Sequence, residues 1–224
     1  MAIPHELRVT TRSGSVRVEA EDRSDIVIDS GRAKLRDEGP VASVDARSDS
    51  VSVRCPIGCD VVVGTLSGSV ELAGRLGHVR VTAKSGSIDV DEVESADLRT
   101  LSGSVRVERC AGECRIKLLS GSAHVGEAGV VQIASKSGKV AVGTLGAGGD
   151  IHVVSGGVEV DEAGRGDLSV KSLSGSVRVG VAPGVRPSTR LKSLSGNPRV
   201  SVETGNDCVI AVSTLSGNIE LTEA

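Results

Sequence analysis

Two C-x3-C pairs, Cys55/Cys59 and Cys110/Cys114, have the spacing in this 224-residue chain best suited to chemistry. Thiols four positions apart can ligate a metal, exchange with a disulfide or fill a core. A zinc site needs four ligands at about 2.3 Å, and neither pair has a histidine or a second pair beside it. Buried structural thiols are the expectation. His5, His78, His124 and His152 are scattered, so none supplies the base that a nucleophilic serine requires, although serine recurs throughout. The acidic group Asp89, Asp91 and Glu92 returns as Glu159, Asp161 and Glu162. Without the glycine-rich calcium nonapeptide these read as solvated charges. The glycine-rich run 143–149 carries no lysine and precedes a strand pattern, so it reads as a turn and not a phosphate loop. No catalytic, cofactor or metal residue is expected.

The composition explains why chemistry is scarce. The chain has no Phe, Tyr or Trp, 29 Gly and a net charge of −3. Aromatic rings supply the largest burials in most cores and the platforms on which sugars stack, so no carbohydrate substrate is expected. A balanced charge gives no basic stripe for nucleic acid. No eighteen-residue apolar run exists for membrane insertion, and Met1–Glu6 carries no basic, then apolar, export pattern. A cytoplasmic protein with free thiols is the expectation.

What positions the residues is a repeat. Ser-Gly recurs with its glycine at Gly14, Gly31, Gly68, Gly86, Gly103, Gly121, Gly138, Gly156, Gly175, Gly196 and Gly217, and Ser48-Asp49 fills the one double gap. Counting Asp49, twelve units follow at steps of 17 to 21 residues. Two residues after the glycine the column is aliphatic except at Pro198. Four after it (Val18, Val53, Leu72, Val107) and five before it (Val9, Val63, Ile116, Val170) it is aliphatic in every unit. Alternation of period two with β-branched residues means short strands. Each unit holds two of them, separated by a variable turn such as 108–113.

Strands this short bury a face only by stacking unit on unit. The expected fold is all-β: a parallel β-solenoid of about 12 coils of about 18 residues, two short strands per coil, right-handed by preference, in a single domain over 1–224. The glycine column marks a corner with φ > 0, which Asp49 should share. The serine before it should form a buried hydroxyl ladder.

The motifs Thr65-Leu-Ser-Gly-Ser-Val70, Thr100-Leu-Ser-Gly-Ser-Val105, Ser172-Leu-Ser-Gly-Ser-Val177 and Thr214-Leu-Ser-Gly-Asn-Ile219 resemble the repeat of a bacterial family of unknown function. That family is called "putative adhesin", or β-strand-repeat-containing. The resemblance spans Val9 to Leu221 and implies a bacterial source and the β-solenoid fold. It brings no catalytic residues.

Solenoid enzymes do not fit. Hexapeptide acyltransferases mark their coils at three six-residue intervals and need a catalytic histidine, whereas here the marks fall in two clusters. The expected function is a non-enzymatic structural or interaction scaffold, self-assembling through its ends or through an apolar stripe two residues before the glycine. That stripe comprises Leu66, Leu101, Leu119, Val154, Leu173, Leu194 and Leu215. The alternative is a monomeric, adhesin-like module docking a protein partner through the stripe or through the stretched segment 180–190. Pro198 next to that segment suggests a locally distorted ladder.

Overall fold

The computed structural model describes residues 5–31, 33–37 and 39–224. Residues 1–4, on which the reading of the chain's start partly rests, lie outside them. Among the described residues every regular element is a strand. They gather into two compact units, Met1–Ala111 and Gly112–Ala224, and each is built as a parallel β-solenoid.

The first unit contains β1 (Glu6–Ser13), β2 (Val16–Glu21), β3 (Val27–Ser30), β4 (Lys34–Asp37), β5 (Val41–Ala46), β6 (Val51–Pro56), β7 (Asp60–Ser67), β8 (Val70–Ser85) and β9 (Ile88–Ser102). The boundary falls inside β10 (Val105–Ser120). The aliphatic columns stack in register as read: Val44, Val9, Val63, Val81 and Leu98 form one ladder, and Val53, Val18, Leu72 and Val90 another. The order along these ladders is not the order of the chain. The first coil, β1–β2, is inserted between β5–β6 and β7–β8.

The unit anchored on Gly31 departs from the expected stack. Its strands β3 and β4 run antiparallel to β6 and β5 and lie over that end of the ladder. Antiparallel pairing satisfies the same alternation, so its hydrophobic pattern does not distinguish the two directions. Among the described residues no further strand lies beyond it, and Leu35 is exposed.

The second unit contains β11 (Ala123–Ser137), β12 (Val140–Leu145), β13 (Gly149–Ser155), β14 (Val158–Ala163), β15 (Leu168–Ser174), β16 (Val177–Val181), β17 (Ser188–Ser195), β18 (Pro198–Ser201), β19 (Val209–Ser216) and β20 (Ile219–Glu223). Its ladder runs Ile133, Ile151, Val170, Val212, Leu191. The coil last in sequence is again inserted: β19–β20 lies between β15–β16 and β17–β18. The 21-residue steps now have a cause. The chain must pass over the place of one coil to reach the edge and then return. Segments 182–187 and 202–208 make these crossings, tied together by Gly205 N–H donating to the Pro187 carbonyl and Asp207 N–H to the Arg186 carbonyl.

Three local expectations are corrected. The expected variable turn is often absent: β8, β9 and β11 are continuous strands of 15 or 16 residues, and a register shift between Leu72 and Arg75 makes the corner in β8. The serines before the glycines do not form a buried ladder. Ser67, Ser85, Ser102, Ser137 and Ser155 are exposed, because the chain turns out of the sheet at the following glycine. The buried hydroxyls lie two residues earlier, at Thr11, Thr65, Thr100, Ser135, Ser172 and Thr214. Finally, Asp49 does not have φ > 0, since every positive φ among the described residues belongs to a glycine.

That hydroxyl column is unevenly satisfied. Thr11, Thr100 and Ser135 donate to the carbonyls of Ser13, Ser102 and Ser137 at 3.1–3.4 Å. Thr65, Ser172 and Thr214 have no partner. A buried hydroxyl without a bond costs on the order of 1–3 kcal/mol. Thr214→Val should therefore raise the unfolding free energy by about 1 kcal/mol in urea titration, whereas Thr100→Val should be neutral or destabilising. Equal effects at the two sites would count against this account.

Candidate interaction surface

The residues with chemical potential are dispersed or occupied. All five cysteines are buried. Cys55 and Cys59 hydrogen-bond across the Pro56–Gly58 turn, which holds the Cys55 thiol below its ordinary pKa and pushes Cys59 up. Cys59 Sγ also lies 3.5 Å from the carbonyls of His5 and Asp60. Cys110 Sγ is 3.9 Å from the Glu94 carbonyl, and Cys114 is wholly buried. Cys208 lies in the second unit, 3.8 Å from the Gly164 carbonyl, and burial raises its thiol pKa. Among the described residues no three His, Cys, Asp or Glu side chains converge as metal ligands.

The histidines are exposed and separate, His5 just before β1 and His78, His124 and His152 on different strands, and His78 bonds Ser95. The acidic groups are tied into the sheet surface. Asp91 accepts the Gly74 N–H at 3.2 Å, and Glu92 pairs with Arg109 at 3.6 Å. Glu159 sits between Lys139 at 2.6 Å and Arg178 at 3.6 Å, with its pKa held below the usual carboxylate range chiefly by the Lys139 hydrogen bond. Arg178 then reaches Glu220 at 3.0 Å. The Gly143–Gly149 run forms close passages between coils: a Cβ on Gly149 would lie 2.1 Å from the Val131 carbonyl oxygen. It is packing, with no cradle for a ligand.

Two surface features remain, and in the second unit they adjoin. Val154, Leu173, Leu215 and Leu194 occupy one corner of four consecutive coils, as the pairings Ser155 to Ser174, Ser174 to Ser216 and Ser195 to Ser216 require. All four are exposed, Leu194 by 84%. Leu119 is exposed too, but the next coil puts Lys136 at this corner. In the first unit Leu66 and Leu101 are exposed and the coil between them contributes Lys84, so the apolar column is interrupted there.

The second feature is an open sheet edge. Among the described residues β17 pairs only with β19, and β18 only with β20. Leu191 is half-buried where its equivalents are sealed, and Val200 is exposed. Pro198 opens β18, and an edge strand is where a residue without an N–H is tolerated. Sequence reading assigned Leu194 and Leu215 to a stripe but did not place them at an edge. The available signal was the pair of long steps flanking Pro198.

A family model described as Toastrack DUF4097 matches residues 5–223. The chain belongs to the Toastrack DUF4097 family. Two solved structures are similar at low identity. One is described as a "putative adhesin" from Parabacteroides distasonis ATCC 8503, with 12% identity, a TM-score of 0.41, and 98% of this chain and 93% of that one covered. The other is described as a "putative cell adhesion protein" from Clostridium sporogenes ATCC 15579, with 8% identity, a TM-score of 0.24, and 100% and 94% covered. No curated protein matches. In this Toastrack chain Val154, Leu173, Leu215 and Leu194 lead coil by coil to the open edge.

Proposed function

We propose that this chain is a non-catalytic binding module that docks another polypeptide at the β17–β18 end of its second unit. The observation that carries the reading is Leu194, 84% exposed on an edge strand paired on one side only among the described residues, and continuous with Leu215, Leu173 and Val154. Contiguous aliphatics beside unsatisfied strand groups are a surface that proteins otherwise cover or charge. The dispersal of the histidines and thiols supports a role without catalysis.

Self-assembly by pairing of strand edges fits the charges less well. Pairing the β17 edge of one copy with the β4 edge of another would set Arg190 and Lys192 against Lys34 and Arg36. Asp29 of β3 is already engaged by two hydrogen bonds from Arg54. Like charges directly opposed across a strand pair disfavour it.

Selection from a random peptide library tests the reading. The parent chain should enrich related sequences, and the triple variant Leu173→Ser, Leu194→Ser, Leu215→Ser should not. Because these side chains are exposed, the triple variant should unfold within about 0.5 kcal/mol per site of the parent. No enrichment by the parent would overturn the proposal. So would a light-scattering mass that climbs steadily with concentration, since self-assembly would then own the edge.

A further inference from the structure

We infer that the β17–β18 edge takes an acidic extended segment of another protein as an added strand. This rests on the docking reading above and names the chemistry of the partner.

Charge order along the stack carries the inference. In the column three residues after the corner glycine, Glu159, Arg178, Glu220 and Arg199 follow one another from coil to coil. Signs alternate along this column, and each inner member is paired: Glu159 with Lys139 and Arg178, Glu220 with Arg178. Arg199 is the last member. Glu220, opposite it in register, is already engaged by Arg178 Nε at 3.0 Å. The next place in the alternation is an acidic one, and it lies in solvent beyond the edge.

The other half of the coil presents the same demand. Arg190 and Lys192 point outward on either side of Leu191, and their register partners, Ala211 and Ser213, are uncharged. Residues 188–201 contain three cations and no carboxylate. Among the described residues no hydrogen bond or ion pair reaches the Arg190, Lys192 or Arg199 side chains. The nearby acids are placed elsewhere. Glu203, beyond the end of β18, is 86% exposed and 3.9 Å from Arg186, and Asp207 accepts the Arg186 N–H at 2.9 Å.

An incoming strand is therefore specified position by position. Its backbone completes the outward-facing groups of β17 and β18, which is recognition by strand addition. Residues opposite Leu191 and Val200 face inward and must be aliphatic, as must the one beside Leu194. Those opposite Arg190, Lys192 and Arg199 face outward and must be acidic. A second copy pairing by the same edge across a twofold axis would bring these cations together, so the occupant is a different chain.

The experiment uses the full chain and fluorescein-labelled synthetic peptides read by anisotropy. One peptide alternates glutamate with valine and leucine over about ten residues, and a second carries lysine at each glutamate. The acidic peptide should bind, its affinity should fall as salt rises from about 50 to about 500 mM, and the lysine peptide should not bind. The variant Arg190→Ala, Lys192→Ala, Arg199→Ala should weaken the acidic peptide at least about tenfold. Bound peptide should slow amide exchange within 188–201.

Equal binding of both peptides, or protection elsewhere on the chain, would overturn the inference, as would tighter binding of a single-stranded oligonucleotide at this edge. If library selection enriches neutral apolar sequences that need Leu194 while the acidic peptide fails, docking stands and the acidic partner falls. If the parent enriches nothing and the acidic peptide fails, both fall.

Discussion

Gly138→Ala should cost about 3 kcal/mol or more in unfolding free energy, while Asp49→Ala should cost almost nothing. Gly138 has φ of +130°, and a Cβ there would lie 1.6 Å from the Gly121 carbonyl oxygen. Left-handed strain alone accounts for about 1–2 kcal/mol in an L-residue, and the rest is the displacement of a neighbouring backbone. The same geometry recurs. Gly86 faces the Gly68 oxygen at 2.2 Å, Gly156 the Gly138 oxygen at 1.9 Å, and Gly217 the Gly175 oxygen at 2.0 Å. Each corner carbonyl occupies the space a side chain on the adjoining coil would need.

Asp49 breaks the column where that constraint ends. Within its unit the would-be Cβ of Gly68 points at Gly14, and that of Gly14 points at Asp49. On the far side of Asp49 the next strands are the antiparallel β3 and β4, so no parallel corner presents a carbonyl there. The replacement is tolerated because its coil is last in that direction, not because aspartate adopts a left-handed backbone. Thermal unfolding of Gly138→Ala and Asp49→Ala beside the parent checks both halves. A Gly138 variant as stable as the parent would mean that the corners do not stack as described.

The solenoid was legible because its ladders are made of Val, Ile and Leu at fixed offsets, and such columns have one common explanation. The buried hydroxyl column was not, since Thr, Ser and Ala two residues before Ser-Gly do not announce burial. The repeated serine drew attention instead, yet it sits where the chain leaves the sheet. Coil order was hidden for a deeper reason. Val44, Val9 and Val63 are interchangeable as neighbours, so the ladder pattern is equally satisfied whether the first coil is terminal or interior. The same degeneracy concealed the antiparallel turn of β3 and β4. Of the candidate surface, the corner leucines were readable from spacing alone. The edge that gives four of them a setting depended on coil order, and so did the unpaired Arg199.

Removing residues 206–224 should abolish cooperative folding of the second unit. In a solenoid stacked in chain order such a cut removes one outer coil and leaves the remaining interfaces intact. Here it removes the coil between β15–β16 and β17–β18, and with it Ile210, Val212, Ile219 and Leu221, each no more than 1% exposed. At about 1.5–3 kcal/mol for each fully buried aliphatic side chain, the loss is roughly 6–12 kcal/mol. That is comparable to the whole stability of an ordinary domain. The edge coil could recover part of this only by moving into the gap, but its contents suit an edge. Pro198 would stand where Ile219 stands, and Arg199 would face Arg178 in place of Glu220. Like charges would then replace an ion pair at the last interface of the ladder. Far-UV circular dichroism and urea unfolding of the truncated chain decide the matter. A cooperative urea transition with a midpoint close to that of the parent would require that 188–201 can pack directly on β15–β16, and the account of why its contents suit only the outer face of β19–β20 would fail with it.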